Sequence, residues 1–233
     1  MMRKVFIRSA CALKSGAPEP DYRPLIPMME ARRMTPLMKR AVWTATSALE
    51  AAGIACPDAI LCGTQWGCLV NTEQFFKALH GLDGRAPSPT HFMQSTHNTL
   101  ASMLAIRLGC HGYNATYSHS AVSFESALLD AFLQIGAGAV DNALVGAYEE
   151  MPPLFGELFG AHADTAAAFV LSASPEGALA RLEDVQLQRA KSPDSAAVDM
   201  ACALADALPC PAPLTLHNPG SDRSQSWIRL CGN

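Results

Sequence analysis

The chain has 233 residues, of which 49% are hydrophobic and 16% charged, enough for one sizeable core or two small ones and too few charges for extended disorder. The formal net charge is -4, and the cations cluster only at Arg32–Arg33 and Lys39–Arg40, which excludes a nucleic-acid footprint.

Residues 4–10 are rich in Val, Phe and Ile and predict a strand. Arg3 and Lys4 precede apolar residues as in a signal peptide, but Arg8 breaks the run too early for an export core. A loop with Gly16, Pro18, Pro20 and Pro24 follows. Thr35 can cap a helix that has Pro36 at its first position. Leu37, Ala41, Ala45, Ala48, Leu49 and Ala52 keep helical spacing, and Gly53 ends the run. Residues 58–63 predict a short strand, and residues 63–67 a loop. Residues 69–79 predict a helix, and residues 81–89 a loop with two glycines and two prolines. A helix over 98–108 closes at Gly109, and a strand is expected over 114–118. Residues 123–135 form a helix pattern with a broad apolar face, stopped by Gly136. Strands are expected over 142–147, 165–172 and 178–187. The polar stretch 189–195, with Pro193, divides a domain over 1–188 from an appendage over 189–233 that packs on it. That appendage predicts a helix over 196–208 and a strand over 214–217.

Alternation of strands and helices predicts an α/β fold with a mixed, largely parallel sheet covered by helices. No stretch approaches ~18 uninterrupted apolar residues, so no transmembrane helix is expected. The eight cysteines, Cys11, Cys56, Cys62, Cys68, Cys110, Cys202, Cys210 and Cys231, include no C-x-x-C pair. They read as small buried hydrophobes in a reducing cytoplasm, with no metal site and no cofactor.

Six local patterns follow one another in the order found in β-ketoacyl-acyl carrier protein synthases of the thiolase superfamily. Arg33-Met34-Thr35-Pro36, opening an Ala-rich helix, resembles that family's entry to its first helix. Cys62-Gly63-Thr64 with Gly67 resembles its Gly-Thr-Gly loop, and Asn98 to Gly109 its helix ending in Ile-Arg-Phe-Gly. Asn114-Ala115-Thr116-Tyr117-Ser118 resembles the strand that delivers the nucleophile. Asn142 to Glu149 and Asp164 to Leu171 resemble two further strands. The resemblance spans residues 33–171 and matches the N-terminal half of a synthase. It implies a thiolase-like half fold, with a mixed, mostly parallel, five-stranded sheet covered by helices.

A condensing enzyme places a cysteine at a tight turn opening a buried helix, where the helix N-terminus lowers the thiol pKa and backbone N–H groups bind the oxyanion. Aligning Asn114 with the family's asparagine puts Ala121 at the cysteine position, and a methyl group cannot attack a thioester. The histidine pair that drives decarboxylation belongs to the family's second half, and the resemblance covers only the first. The resemblance therefore implies no catalytic residue. It implies an acyl-pocket or interface role for His91, His97, Tyr117, Ser118, His119, Ser120, Val122, Ser123 and Phe124.

Ser120 or Ser123 as a nucleophile would need a base held within hydrogen-bond reach; as ordinary residues they cap the following helix. His217-Asn218-Pro219-Gly220 reads as a turn. Glu149-Glu150 reads as an acidic strand end, and Phe155, Phe159 and Phe169 as core or interface. The resemblance implies a chain-length-factor-like subunit of aryl polyene or type II polyketide systems. Its partner would be a full-length β-ketoacyl synthase in a heterodimer, and it would meet the acyl carrier protein through that partner. The alternatives are an acyltransferase or hydrolase acting on carrier-bound acyl thioesters, or a homodimeric acyl-binding module.

Overall fold

The computed structural model describes residues 2–81, 84, 86–151, 154, 156–157, 164–189, 199–219 and 224–232. Phe155, Phe159, the polar stretch 190–195, the start of the helix expected at 196 and Gly220 lie outside the described residues.

The first strand, β1 (Val5–Leu13), is followed by a short helix α1 (Met28–Ala31) and by α2 (Pro36–Ala52). The α2 boundaries are those its capping residues dictate. Thr35 accepts a hydrogen bond from the Met38 N–H at 3.3 Å, and Gly53 takes the left-handed conformation at φ 69°. Next come β2 (Ala59–Gly63), α3 (Leu69–Leu79), α4 (Pro89–Met93) and α5 (Thr99–Leu108). Neither α1 nor α4 was expected; each is a single turn inside a segment whose prolines and glycines read as loop.

β3 (Tyr113–Tyr117) leads through one 3-10 turn into α6 (Ser123–Ala137). The expected stop at Gly136 is displaced, because Gly138, at φ 78°, ends α6. Gly136 is instead buried within the helix, where a Cβ would come within 2.5 Å of the Met2 side chain. The remaining elements are β4 (Asn142–Glu149), β5 (Thr165–Ser172), β6 (Ala180–Arg189), α7 (Met200–Asp206), β7 (Leu214–Asn218) and β8 (Ser224–Cys231).

The α/β thiolase-like class holds, but the expected sheet requires correction. The described strands form one eight-stranded sheet in the order β3-β2-β4-β5-β1-β6-β8-β7. Only the β2/β3 and β2/β4 pairs are parallel; the other five pairings are antiparallel. Parallel neighbours arise where helices carry the chain back across the sheet, as between β2, β3 and β4. β1 instead inserts between β5 and β6, a long-range choice that alternation of elements does not encode. β7 and β8 are too close in sequence to pair any other way than antiparallel.

A core lies on each face. One joins α6 and α7 to the sheet through Leu128, Ala131, Ile135, Val145, Phe169 and Leu204. The other joins α2 and α5 through Met38, Ala41, Ala45, Leu104, Ile60 and Tyr148. The strands between them, such as β5, are buried on both faces and read as continuous apolar runs. The reading of every cysteine as buried is corrected at four positions: Cys56 is exposed, and Cys11, Cys202 and Cys231 are half-buried.

Candidate functional site: the β3–α6 turn

The turn runs Ser118-His119 and then through the 3-10 residues Ser120–Val122 into α6. Ser120 has φ 48°, the one non-glycine among the described residues in the left-handed region. Such a backbone costs on the order of 1 kcal/mol and persists only where its surroundings hold it. Here Ser123 is the latch. Its Oγ donates to the Ser120 carbonyl at 2.7 Å and accepts the His119 N–H at 2.9 Å. The Val122 N–H donates to the His119 carbonyl at 3.1 Å. Ser126 Oγ donates to the Val122 carbonyl at 2.8 Å and lies 3.1 Å from His119 Nδ1.

The β2 end presses on this turn. A Cβ on Gly63 would sit 2.5 Å from the Phe124 Cα, so only glycine allows that approach. Phe124 packs against Phe169 with ring centroids 5.3 Å apart, and Val122 is fully buried. Val122, Ser123 and Phe124 thus face the protein's own core, whereas Ser118 and His119 are exposed and Ser120 and Ala121 half-buried.

The carbonyl of Ala121 is held from the far end of the chain. Asn218 Nδ2 donates to it at 3.1 Å and to Glu125 Oε1 at 2.8 Å. Ser226 Oγ donates to the same Glu125 oxygen at 2.7 Å. Burial holds the Glu125 carboxyl above its ordinary value, against the lowering pull of those two hydrogen bonds. The β7–β8 hairpin therefore covers the opening of α6. His217 takes no part and stacks on Trp227 at 4.8 Å.

The loop after β2 is the other wall. Ser118 Oγ donates to the Gln65 carbonyl at 3.3 Å. Glu149 accepts from the N–H groups of Gln65 and Trp66 and from Thr64 Oγ1, and Glu150 accepts from the Val70 N–H at 3.1 Å in the first turn of α3. Burial raises each carboxyl from 4.5 to about 7. The acidic strand end is thus a clamp on the loop. His97 packs on the other side of that loop, its ring within 3.2 Å of where a Gly67 Cβ would be. His91 lies apart, with Nδ1 3.0 Å from Asn71 Oδ1 on α3.

No cysteine stands in this turn, and two of its polar side chains are already engaged. The His119 ring is engaged by Ser126, and Ser123 uses its hydroxyl within the turn. Cys62 precedes Gly63, but its thiol is buried and pushed up to about 12. Such a group stays protonated and is inert as a nucleophile near neutrality.

β3 is one of the two edge strands of the sheet and, among the described residues, pairs on one side only, with β2. Tyr113 and Tyr117 both donate from it to Asp130 Oδ2 on α6, at 2.9 and 2.8 Å. Sequence reasoning missed a neighbouring feature. Met29, Met34, Met38, Met93 and Met103 line two adjoining clefts of about 450 and 420 Å³ between α1, α2, α4 and α5. The signal was available in the closely spaced methionines from Met28 to Met38.

Among the described residues no helix is long and apolar enough to cross a membrane, and no group of three or more His, Cys, Asp or Glu side chains could hold a metal ion. No curated protein matches the sequence. A solved complex of the ketosynthase ApeO with its chain length factor ApeC from Xenorhabdus doucetiae contains a chain similar to this one, with TM-score 0.73 and 21% identity. The match covers 97% of this chain and 98% of that one. The ishigamide ketosynthase/chain length factor matches with TM-score 0.61 and 20% identity, over 82% of this chain and 67% of that one. A β-ketoacyl synthase from Burkholderia phymatum matches with TM-score 0.68 and 15% identity, over 88% and 69%. Residues 8–217 match the family model for the beta-ketoacyl synthase N-terminal domain. With the match running through the β3–α6 turn and into β7, this chain belongs to the β-ketoacyl synthase N-terminal domain family.

Proposed function

We propose that the protein is a non-catalytic, chain-length-factor-like partner of a β-ketoacyl-acyl carrier protein synthase, serving aryl polyene or related fatty acid and polyketide biosynthesis in the cytoplasm. The observation that carries this reading is Ala121. The turn that opens α6 is fully built, down to a strained Ser120 and the Ser123 latch, yet presents a methyl group. A scaffold kept without its nucleophile is useful as a surface. Support also comes from similar chains in solved complexes of ketosynthases with chain length factors.

In this reading the free side of β3 meets the partner synthase, and the interface buries more than ~2,000 Å² as obligate interfaces do. Ser118, His119, Ser120 and His97 face the shared acyl pocket, with His91 and Tyr117 nearer its rim. Val122, Ser123 and Phe124 hold the turn from beneath. The acyl carrier protein is engaged through the partner. Residues 1–188 and the appendage 189–233 act as one unit, because the appendage supplies the cover of the turn.

The test is co-expression with the cognate full-length synthase, followed by size-exclusion chromatography with light scattering. The expected result is a one-to-one heterodimer. A stable monomer or homodimer that never co-purifies with the synthase refutes the reading.

A further inference from the structure

Cys56 and Cys110 lie 54 positions apart in the chain and side by side in space. The β2/β3 ladder is parallel with Ala59 opposite Tyr113, and it keeps that offset through Gly63 and Tyr117. Carried three residues back, the same offset sets Cys56 opposite Cys110. The two segments stay in contact over that distance. A Cβ on Gly112 would come within 1.9 Å of the Asp58 carbonyl oxygen, so the backbones touch there. Both thiols donate to one acceptor, the Pro57 carbonyl, Cys110 at 3.1 Å and Cys56 at 3.7 Å. They are also within side-chain contact of each other.

The loop that carries Cys56 is fixed rather than loose. Asp58 Oδ2 accepts the N–H groups of Asp141 and Asn142 at 3.0 and 3.1 Å and Asn142 Nδ2 at 2.9 Å. Neighbouring strand positions lie about 4.8 Å apart, inside the Cα separation that a disulfide spans. Cys56 is exposed and Cys110 is buried behind it, so a reagent in solution reaches one sulfur and the second resolves the product.

We propose that Cys56 and Cys110 form a reversible disulfide site whose co-substrate is a low-molecular-weight disulfide such as oxidised glutathione. The Cys56 thiolate attacks one sulfur of glutathione disulfide, and one glutathione thiolate leaves. Cys110 then attacks the Cys56 sulfur, the mixed disulfide breaks, and the second glutathione leaves. The protein loses two hydrogens and two electrons, and both protons end on the two glutathione thiols. The new bond clamps the start of β3, an edge strand of the sheet, onto β2. This inference rests on the β2/β3 register and the thiol positions, and it stands whether or not the protein pairs with a synthase.

The test uses the full chain, folded, in a glutathione redox buffer at mildly alkaline pH. Slight desolvation, with the neighbouring Cys110 thiol and Asp58 adding to it, holds the Cys56 thiol above its ordinary value, so alkali raises the thiolate fraction. After alkylation, intact mass counts the surviving thiols and peptide mapping locates the link. The expected product has lost two of its eight free thiols, with Cys56 joined to Cys110. Its melting temperature rises on the order of 10 °C, reversed by a reductant. Cys56→Ser and Cys110→Ala lose the product, while Cys202→Ser keeps it. Retention of all eight thiols, a glutathione adduct that stops on Cys56, or a link through any other cysteine overturns the proposal.

Discussion

Replacing Glu149 with glutamine removes a buried titration while keeping the shape of the clamp on the β2 loop. In the folded protein burial raises the Glu149 carboxyl from 4.5 to about 7. A carboxyl with a raised folded value binds its proton more tightly in the folded state. Its contribution to stability is therefore complete below about pH 4.5 and is lost as pH rises through about 7. That interval corresponds to about 3 kcal/mol, or a fall in melting temperature of roughly 10 °C for a chain of this size. Glu150, also raised to about 7 by burial, moves in the same direction and remains in the variant. Glutamine keeps an oxygen for the Gln65 N–H but leaves the Trp66 N–H poorly served, a loss of about 1 kcal/mol at every pH. The readout is thus the slope and not the absolute midpoint. Thermal melts by circular dichroism between about pH 5 and 8 should fall steeply for the parent and less steeply for Glu149→Gln, in which Glu150 and Glu125, both held up by burial, still titrate. Equal slopes, or a parent more stable at the higher pH, would refute the assignment of Glu149 as a carboxyl that burial favours in its protonated form.

Gly63→Ala would place a methyl group 2.5 Å from the Phe124 Cα and the Ser123 carbonyl oxygen. The first turn of α6 must move away, at a cost of about 3 kcal/mol measurable by urea unfolding. Asn218→Ala removes donors to the Ala121 carbonyl and the Glu125 carboxyl, and should cost about 2–3 kcal/mol. Asn218→Asp should cost more, because a second carboxylate then faces buried Glu125; an equal melting temperature for both variants would rule out the Glu125 contact. Ala121→Cys puts a thiol at the opening of α6, and intact mass after exposure to an activated acyl thioester should show at most acyl loading. Formation of a condensed product by that variant alone would overturn the non-catalytic reading.

Much of the local structure was legible because its determinants are local. Thr35-Pro36 and Gly53 bracket α2 through a hydroxyl cap and a left-handed glycine, signals that act within a few residues. Gly136 misled for a related reason. Two glycines lie close together; the first stays helical, beside Met2 and with its carbonyl accepting the Arg3 N–H, while the second takes the left-handed conformation that ends α6. β8 was missed although Ser226, Ile228 and Leu230 alternate inward with period two. Its segment is short, polar at its start, and stable only as a neighbour of β6 and β7.

The position of Ala121 at the entry of a helix is a property of the sequence. Residues on either side of it carry strand and helix signals strong enough to locate the turn. The network that holds that turn is not. Glu125 meets Asn218 and Ser226 across separations of 93 and 101 residues, and each is unremarkable in its own segment. The same holds for β3 at the outer edge of the sheet and for Cys56 beside Cys110. Propensity and capping act over a few residues and so settle which elements form. The order of strands, the free edge and the cover of the turn depend on which apolar faces bury each other best across the whole chain, and that choice exists only once the tertiary structure is made.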